Sequence, residues 1–390
     1  MRKTASALLA AALLGASVSG ETMSFAPVGT FTVNTNVAIT GATTVDVASG
    51  TVVFAGVVSG SGGLTKKGAG TLYLANRANT YDGLMTVSAG ALYCRSFAAV
   101  TLNGGSLRLY GSGMFETGQP IHQGGNSQVY VSDATDTLVV NGPWTGRCAV
   151  RGGGTCRFMR RLTASDISTC VRTDKGVTEF LCPTNSFTCN VTANDGTFRV
   201  VSLAGKGVPC ALGAGNQITL GQREYKNIGC ISYCGAADTR CNRDITVCGY
   251  TNSSLTAEHY GGRLRNETAG TCVTYSGALT VNCRPEYPRA MPALFLDGAG
   301  DGRLEMALPE RMVLYKEFGD TLRTGDEPKV VGARIEEKTY DGRIVQRPDL
   351  SRTVSIVEGD NIQLLSTGFD GKYMCGSIRV AQATQSAAAA

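Results

Sequence analysis

The acidic run near residue 300 is the segment whose residue types come nearest to a metal site. It reads Asp297-Gly298-Ala299-Gly300-Asp301-Gly302, with Glu305 close behind. Carboxylates alternating with glycine are typical of calcium loops, but Ala299 stands at a ligand position and Leu308 stands where a bidentate glutamate is needed. We therefore interpret the run as a turn, and we predict no catalytic, cofactor-binding or metal-binding residue in the chain.

Signatures of other enzymatic chemistry are missing from the sequence as well. It contains no nucleophile elbow, phosphate loop, dinucleotide fingerprint or metalloprotease helix. Glycoside hydrolysis needs only two carboxylates about 5 to 9.5 Å apart, and stacked coils could assemble such a pair from distant positions. A polysaccharide lyase or hydrolase therefore stays open as the alternative to a non-catalytic protein.

The fourteen cysteines do not form a zinc pattern. There is no Cys-x-x-Cys pair, and the two histidines, His122 and His259, lie far from any paired-ligand spacing. Twelve cysteines lie between Cys148 and Cys283. In an oxidising compartment they could form disulfides between adjacent coils, or they could be buried free thiols, and the sequence leaves both alternatives open.

The first 20 residues have the organisation of a secretory signal peptide. Arg2 and Lys3 precede an apolar run from Ala5 to Leu14, and small residues follow as far as Gly20. This run is too short to cross a bilayer, which takes about 20 apolar residues. We predict cleavage after Gly20 or Ser17, no transmembrane segment after the signal peptide, and a secreted or cell-surface protein.

Composition favours a folded all-β chain. Hydrophobic residues make up 43% and charged residues 17% of the 390 residues, which is enough to bury a core. Glycine is abundant at 50 residues and proline scarce at 11, as short strands joined by tight turns require. The net charge is +5 and the isoelectric point about 8.5, below the values typical of nucleic-acid-binding domains, so we expect no nucleic-acid partner.

The segment 51–92 carries the strongest pattern in the chain. Apolar runs of three or four residues, such as Thr51-Val52-Val53-Phe54 and Thr71-Leu72-Tyr73-Leu74, alternate with glycine-rich corners such as Ser59-Gly60-Ser61-Gly62-Gly63. Each run is long enough for only a short strand before the chain bends. One such coil cannot bury its own apolar side, but stacked coils can, and this predicts a β-solenoid.

These residues resemble the autotransporter-associated β-strand repeat, also called the passenger-associated transport repeat. The shared motifs are Leu64-Thr65-Lys66, Thr71-Leu72-Tyr73-Leu74, Asn79-Thr80-Tyr81 and the run from Thr86 to Leu92, in that order. A weaker copy over 185–198 aligns five residues with Asn79, Tyr81, Thr86, Gly90 and Leu92: they are Asn185, Phe187, Thr192, Gly196 and Phe198. A third, faint copy contains Leu314, Lys316, Thr321 and Leu322.

The resemblance implies a right-handed parallel β-helix of the kind found in exported passengers. We expect Asn79 and Asn185 at corners, in left-handed conformations that asparagine tolerates, and Tyr81 and Phe187 over apolar columns. The solenoid should cover residues 21–300. Residues 301–390 are about twice as rich in charge, and we expect a terminal cap or a small β-rich module there, with a loose tail.

The predicted function is that of an exported, non-catalytic β-solenoid serving as a surface or secreted passenger scaffold of adhesin-like character. Its expected partners are extracellular glycans or cell-surface components. A carbohydrate-active enzyme on the same fold is the alternative. A carboxylate cluster in an external groove with flanking aromatics would favour the enzyme, whereas outward faces of threonine, serine and asparagine would favour the scaffold.

Overall fold

The computed structural model of this chain consists of β-strands. It describes residues 17–282, apart from 112, 223–226 and 249–260, together with the backbone of eight strands between residues 293 and 380. The described side chains end at residue 278. Within this part of the chain there is no helix, and hence none with the length and apolar character that a bilayer crossing needs.

The chain divides into two compact units. The first comprises Met1–Cys170 and Lys175–Thr178, and the second comprises Val171–Asp174 and Glu179–Ala390. Nineteen short strands lie wholly within the first unit: β1 (Ser17–Val18), β2 (Thr22–Phe25), β3 (Thr30–Val33), β4 (Val37–Ile39), β5 (Thr43–Val47), β6 (Thr51–Phe54), β7 (Val58–Ser59), β8 (Leu64–Lys67), β9 (Thr71–Leu74), β10 (Met85–Val87), β11 (Ala91–Cys94), β12 (Val100–Asn103), β13 (Ser106–Leu109), β14 (Met114–Thr117), β15 (Ile121–Gly124), β16 (Gln128–Val131), β17 (Thr137–Val140), β18 (Trp144–Arg151) and β19 (Thr155–Phe158).

The unit boundary falls within two strands, β20 (Ile167–Arg172) and β21 (Val177–Phe180). The second unit continues with β22 (Val191–Ala193), β23 (Gly196–Val200), β24 (Gln217–Leu220), β25 (Ile228–Tyr233), β26 (Thr239–Cys241), β27 (Asp244–Cys248), β28 (Gly261–Asn266), β29 (Cys272–Tyr275), β30 (Leu279–Asn282), β31 (Ala293–Gly298), β32 (Arg303–Met306), β33 (Met312–Tyr315), β34 (Glu336–Tyr340), β35 (Arg343–Arg347), β36 (Val354–Ser355), β37 (Asn361–Thr367) and β38 (Tyr373–Val380).

Strands of the first unit pair in parallel with strands one coil further along the chain. One ladder runs through β2, β5, β8, β10, β12, β15 and β18, and a second runs through β3, β6, β9, β11, β13, β16 and β18. The hydrogen bonds that Asn36 and Asn79 side chains make with neighbouring coils span 21 residues, which is the coil length in this region. This arrangement is a parallel β-helix.

The interior of the first unit is a set of apolar columns. Strand burial alternates, so every second side chain points inward. One column is in register from coil to coil and contains residues with no exposed surface: Val52, Leu72, Leu92, Leu107 and Val129. Stacking therefore buries the apolar side that a single coil would leave in water, as the sequence predicts.

The second unit repeats this parallel pairing with longer coils. Its ladders run through β22, β24, β27 and β30, and through β23, β25, β28 and β31. A hydrogen bond between adjacent coils, from the backbone of Ala278 to Asp244, spans 34 residues. Phe198, Ile231 and Leu264 form one of its buried columns.

Antiparallel pairing appears after β32. Among the described strands, β33, β34, β35 and β37 pair antiparallel with one another or with β38, and β36 pairs antiparallel with β32. Strand β38 also pairs in parallel with β31. Leu314, from the faint third copy, lies in one of these antiparallel strands, whereas Lys316, Thr321 and Leu322 lie outside the described residues. The cap or module predicted for 301–390 stays a prediction.

The parallel β-helix predicted from the sequence is confirmed. The predicted signal peptide, residues 1–20, lies outside the described residues except for 17–20. Ser17 and Val18 form β1, which pairs in parallel with β4, so cleavage after Gly20 would remove this strand. The signal peptide itself stays a prediction.

Candidate functional site

The lysine of the Leu-Thr-Lys motif lies inside the first unit. Strand β8 alternates so that Leu64 and Lys66 point inward, and the Lys66 side chain has no exposed surface. Its Nζ donates hydrogen bonds to the carbonyl oxygens of Lys67 (2.7 Å), Gly68 (2.8 Å) and Ala89 (3.1 Å). Burial lowers the pKa of Lys66 to about 8, against the opposing attraction of the Asp46 carboxylate. This amine therefore joins two coils at a corner.

Glycine corners let successive coils approach closely. Gly90 has a φ of 66°, and a Cβ at this position would lie 2.2 Å from the carbonyl oxygen of Gly70. This corner therefore has the positive φ that tight turns between short strands require. Its counterpart in the weaker copy, Gly196, also has a positive φ, at 104°.

The asparagines of the two copies act through their side chains rather than through backbone conformation. Asp174 has the one positive φ among described residues other than glycine, so the left-handed conformation predicted for Asn79 and Asn185 is wrong. Instead, Asn79 Oδ1 accepts from the backbone N of Val58, and Asn185 Nδ2 donates to the carbonyl of Ala211, both at 2.8 Å. An amide that reaches an adjacent turn does not need an unusual φ.

The aromatic residues of the copies cover apolar columns as predicted. Tyr81 is 9% exposed, and its hydroxyl donates to the carbonyl of Gly62 at 2.5 Å. Phe187 is fully buried, with its ring centroid 6.0 Å from that of Phe180. Both side chains are part of the core.

One outward face of the first unit carries a row of threonines. The register aligns Thr44, Thr65, Thr86 and Thr101 in consecutive coils. His122 and Thr145 continue the row, with His122 Nδ1 and Thr145 Oγ1 hydrogen-bonded at 2.9 Å. This is the polar face that the sequence analysis associates with a scaffold.

A second outward face carries what we call the tyrosine–arginine stack. It consists of five residues in register on β9, β11, β13, β16 and β18: Tyr73, Tyr93, Arg108, Tyr130 and Arg151. All five are half-buried. The sequence analysis missed this stack, although Tyr73 and Tyr93 occupy equivalent outward positions in successive coils and could have indicated it.

The side chains of the tyrosine–arginine stack contact one another along the ladder. The ring centroids of Tyr73 and Tyr93 are 5.2 Å apart. The Arg108 guanidinium carbon lies 5.4 Å from the Tyr93 centroid and 3.9 Å from the Tyr130 centroid. On the next coil, the Arg151 guanidinium carbon lies 5.3 Å from the Tyr130 centroid. Cations within about 6 Å of a ring face are attracted by its quadrupole.

Tyr110 and Arg95 flank the stack on one side. The ring of Tyr110 lies 4.5 Å from that of Tyr73, and the Arg95 guanidinium carbon lies 4.8 Å from the Tyr110 centroid. Burial, followed by the hydrogen bond with Tyr73, raises the pKa of Tyr110 above its usual value. The phenol of Tyr110 therefore stays neutral at physiological pH. Tyr110 and Arg95 add one aromatic group and one cationic group beside the stack.

The second unit contains a carboxylate cluster, but an arginine occupies its centre. Arg199 Nη1 lies 3.1 Å from Glu179 Oε1, and Arg199 Nε lies 2.7 Å from Glu267 Oε2. Burial opposes ionisation of Glu267, but hydrogen bonds from Ser232 and Arg199 outweigh it and lower its pKa. A general acid needs a raised pKa, so the arrangement suits a salt bridge better than glycoside hydrolysis.

Metal-binding geometry is not present in the described residues. No group of three or more histidine, cysteine, aspartate or glutamate side chains comes together there. Of the predicted turn at Asp297–Gly302, Asp297 and Gly298 end β31, and 299–302 lie outside the described residues. The prediction that the chain has no catalytic or metal-binding residue is left untested.

For four cysteines, the structure decides between the two alternatives that the sequence leaves open. Cys94, Cys148, Cys210 and Cys241 are buried free thiols. Burial raises the pKa of Cys94 to about 12 and that of Cys241 to about 11. Because the thiolate is the reactive form, these thiols should be unreactive while the chain is folded.

Comparison with known proteins locates a family repeat in the first unit. Residues 64–93 match the family model described as the passenger-associated-transport-repeat. The chain contains a passenger-associated transport repeat. This passenger repeat begins at β8, with the buried Lys66, and ends in β11, with Tyr93 of the tyrosine–arginine stack. The weaker copy at 185–198 lies outside the matched residues and stays a prediction.

A longer segment of the chain is similar to an adhesin. It is 29% identical over 226 residues to the "Adhesin BmaC autotransporter" of Brucella suis biovar 1 (strain 1330). The match covers 56% of this chain and 6% of the adhesin, so the chain corresponds to a small part of that protein's length. No solved structure matches the chain. The resemblance drawn from the sequence, to autotransporter passenger repeats, is confirmed.

Proposed function

We propose that this chain is part of a surface-exposed or secreted passenger, in which the β-helix acts as a non-catalytic scaffold that displays binding residues on its outward faces. The passenger repeat folded into parallel coils is the observation that carries this proposal. The similarity to an autotransporter adhesin supports the surface location and the adhesin-like role.

The use of the interior polar groups supports the non-catalytic part of the proposal. Lys66 satisfies corner carbonyls, and Gln123 bonds to the backbone of Ser127 and Ala149. In the second unit, Glu179 and Glu267 are held by Arg199. These groups are committed to joining coils, and the lowered pKa of Glu267 is unlike that of a general acid.

Protease treatment of intact producing cells tests the location. We expect added protease to cleave the cell-associated chain while a cytoplasmic marker stays intact, or the chain to be found in the medium. A chain protected in intact cells, absent from the medium and cleaved only after lysis, would refute the proposed display.

An activity screen tests the scaffold role against the enzyme alternative. We expect the purified chain to leave plant and microbial polysaccharides uncleaved, with and without calcium. Reproducible cleavage that disappears in Glu267→Gln or Glu179→Gln would refute the scaffold role. A matched variant, Asp82→Asn, removes an exposed carboxylate from the first unit and should leave any such cleavage unchanged.

A further inference from the structure

Arg108 lies between two tyrosine rings within the tyrosine–arginine stack. The rings of Tyr93 and Tyr130, on the coils before and after it, lie over the two sides of its guanidinium group. An arginine stacked in this way has already lost much of its side-chain freedom, so binding a ligand costs it less entropy. The faces of the guanidinium are covered, and its in-plane N–H edge is the part left for a ligand.

The charge of Arg108 has no acidic counterpart among the described residues. Arg108 makes no hydrogen bond or ion pair within that part of the chain, and its Nε is buried without an acceptor. Beside it, Gln128 Oε1 accepts hydrogen bonds from the Tyr130 hydroxyl (2.7 Å) and from Arg151 Nη1 (3.1 Å). The described side chains of this face thus present guanidinium and phenol groups without a carboxylate to neutralise Arg108.

We propose that the tyrosine–arginine stack is a binding site for an anionic polysaccharide, whose carboxylate or sulfate groups meet the outward edge of Arg108. A planar fork of N–H donors matches the oxygens of such groups and binds them in pairs. Coils rise by about 4.8 Å, so successive stack residues are spaced on the scale of sugar units along an extended chain. This inference rests on the proposed function, because it names the ligand of an outward face.

The same geometry disfavours single-stranded nucleic acid as the ligand. Proteins that bind such strands offer open aromatic faces on which bases stack. Here Tyr73 and Tyr93 are stacked with each other, and both sides of Tyr130 carry an arginine. Ring edges and hydroxyl groups remain for contact, and these suit the hydroxyl and anionic groups of a sugar chain better than a base.

Binding of the purified full chain to defined polymers tests the proposal. The probes are polygalacturonate for carboxylate, heparin for sulfate, dextran as a neutral control and oligo-dT as single-stranded DNA, measured by calorimetry at two salt concentrations. We expect one or both anionic polysaccharides to bind and dextran not to bind. Arg108→Gln should weaken that binding about tenfold.

Two variants separate a positioned guanidinium from charge alone. Arg240→Gln removes one exposed positive charge from the second unit and should change affinity by less than about twofold. Arg108→Lys keeps the charge and should still lose most of the binding, because a lysine has no planar fork. Melting temperatures of all variants verify folding, and if Arg108→Gln does not fold, Arg108→Lys decides the outcome.

Several results would overturn the proposal. They are the absence of binding to both anionic polysaccharides, unchanged binding by Arg108→Lys or Arg108→Gln, an equal loss in Arg240→Gln, or oligo-dT binding as tight as polysaccharide binding. Location on cells is measured independently, so a negative binding result leaves the proposed display standing. Conversely, a chain found inside cells would refute the display without affecting the affinity for polysaccharide.

Discussion

The two units of this chain build the same kind of coil at two sizes. Near the passenger repeat, paired positions on successive coils are 15 to 21 residues apart, whereas Ala278 and Asp244 are 34 apart. Both keep apolar columns inside, and both bury a long cation at a corner; Arg172 is a further fully buried cation of the second unit. Lys66 holds three carbonyl oxygens in the first unit, and the fully buried Arg243 holds those of Leu212 (2.9 Å) and Gly213 (2.6 Å) in the second.

The shared cation indicates what a solenoid corner requires. A chain that turns sharply leaves carbonyl groups without strand partners, and a buried carbonyl without a donor is costly. An ammonium group, with three N–H donors, meets this need in the short coil. The wider coil uses a guanidinium, whose Nη2 also contacts Cys210 Sγ at 3.1 Å. The buried charges of Lys66 and Arg243 are therefore used to bond backbone carbonyls at corners.

The largest expected effect concerns the close approach of coils in the first unit. Gly90→Val places a β-branched side chain at a φ of 66°, with its Cβ 2.2 Å from the Gly70 carbonyl oxygen. We expect it to destabilise the first unit by about 3 kcal/mol or more, measured by urea unfolding.

Gly207→Val is the matched control in the second unit. Gly207 has a similar φ of 72°, but a Cβ there would meet nothing within 4 Å. We expect a cost of about 1 kcal/mol from backbone strain alone. Equal effects of the two substitutions would mean that close packing between coils does not set the requirement at Gly90.

Replacing the buried cations should cause the next largest loss of stability. Lys66→Met and Arg243→Met each leave corner carbonyls without donors, and we expect each to destabilise its unit by about 2 kcal/mol at pH 7. Denaturant unfolding monitored by hydrogen exchange would assign each loss to its unit. A neutral or stabilising Lys66→Met would contradict the role of this amine in joining coils.

The two cations should differ in pH dependence. Burial lowers the pKa of Lys66 from 10.5 to about 8, so between these values the unfolded chain holds a proton that the folded chain has lost. Stability from Lys66 therefore rises with pH across this window, and the gap between the wild type and Lys66→Met should widen from pH 7.5 to pH 10. The gap for Arg243→Met should stay constant, because guanidinium remains charged. If the difference in stability between the wild type and Lys66→Met narrowed as the pH rose, the lowered pKa of Lys66 would be contradicted.

A smaller loss of stability is expected from substitutions at Tyr81 and Phe187, the equivalent aromatic positions of the passenger repeat and its weaker copy. Tyr81→Phe removes hydrogen bonds to the carbonyls of Gly62 and Leu84 and should cost about 1 kcal/mol, measured by thermal unfolding. The reciprocal change, Phe187→Tyr, introduces a hydroxyl into a fully buried site and should also destabilise. If Tyr81→Phe had no effect, the hydroxyl would not contribute to this corner.

Alkylation rates should distinguish a buried cysteine from a partly exposed one, and this test requires no substitution that changes stability. In the folded chain, iodoacetamide should modify the buried Cys94 about a hundredfold or more slowly than the partly exposed Cys182, because the pKa of Cys94 is raised to about 12. Mass spectrometry after timed quenching measures both rates, and urea should remove the difference. Equal rates in the folded chain would contradict the burial of Cys94.

The sequence predicts the fold well where local pattern and stacking agree. Alternating apolar residues and glycine corners over 51–92 are enough to predict parallel coils, and the positive φ at Gly90 follows from the same reasoning. Coil length in the second unit was harder to infer, because Phe187 and Gly196 keep the spacing of Tyr81 and Gly90, while the stretch from Gly196 to its partner on the next coil, Gly229, is longer. Parallel pairing at those lengths depends on contacts between residues far apart in sequence.

The candidate site was less predictable than the fold. Lys66 reads as a polar surface residue until its alternation with Leu64 places it inside. The tyrosine–arginine stack requires the register, which brings Tyr93, Arg108 and Tyr130 together from coils of unequal length. A single sequence does not show which outward positions become neighbours, and so the face that we propose as a binding site emerged only from the structure.

The parallel ladders also bear on how such a chain could acquire its structure. In both units, strands inside the ladders, such as β10, β11 and β25, pair with the strand formed one turn earlier and with the strand formed one turn later. Adding a rung therefore closes a loop only one coil long, and the entropic cost does not grow with the number of rungs already present. A polypeptide supplied gradually from one end could order itself in step with its arrival, without waiting for its remote end.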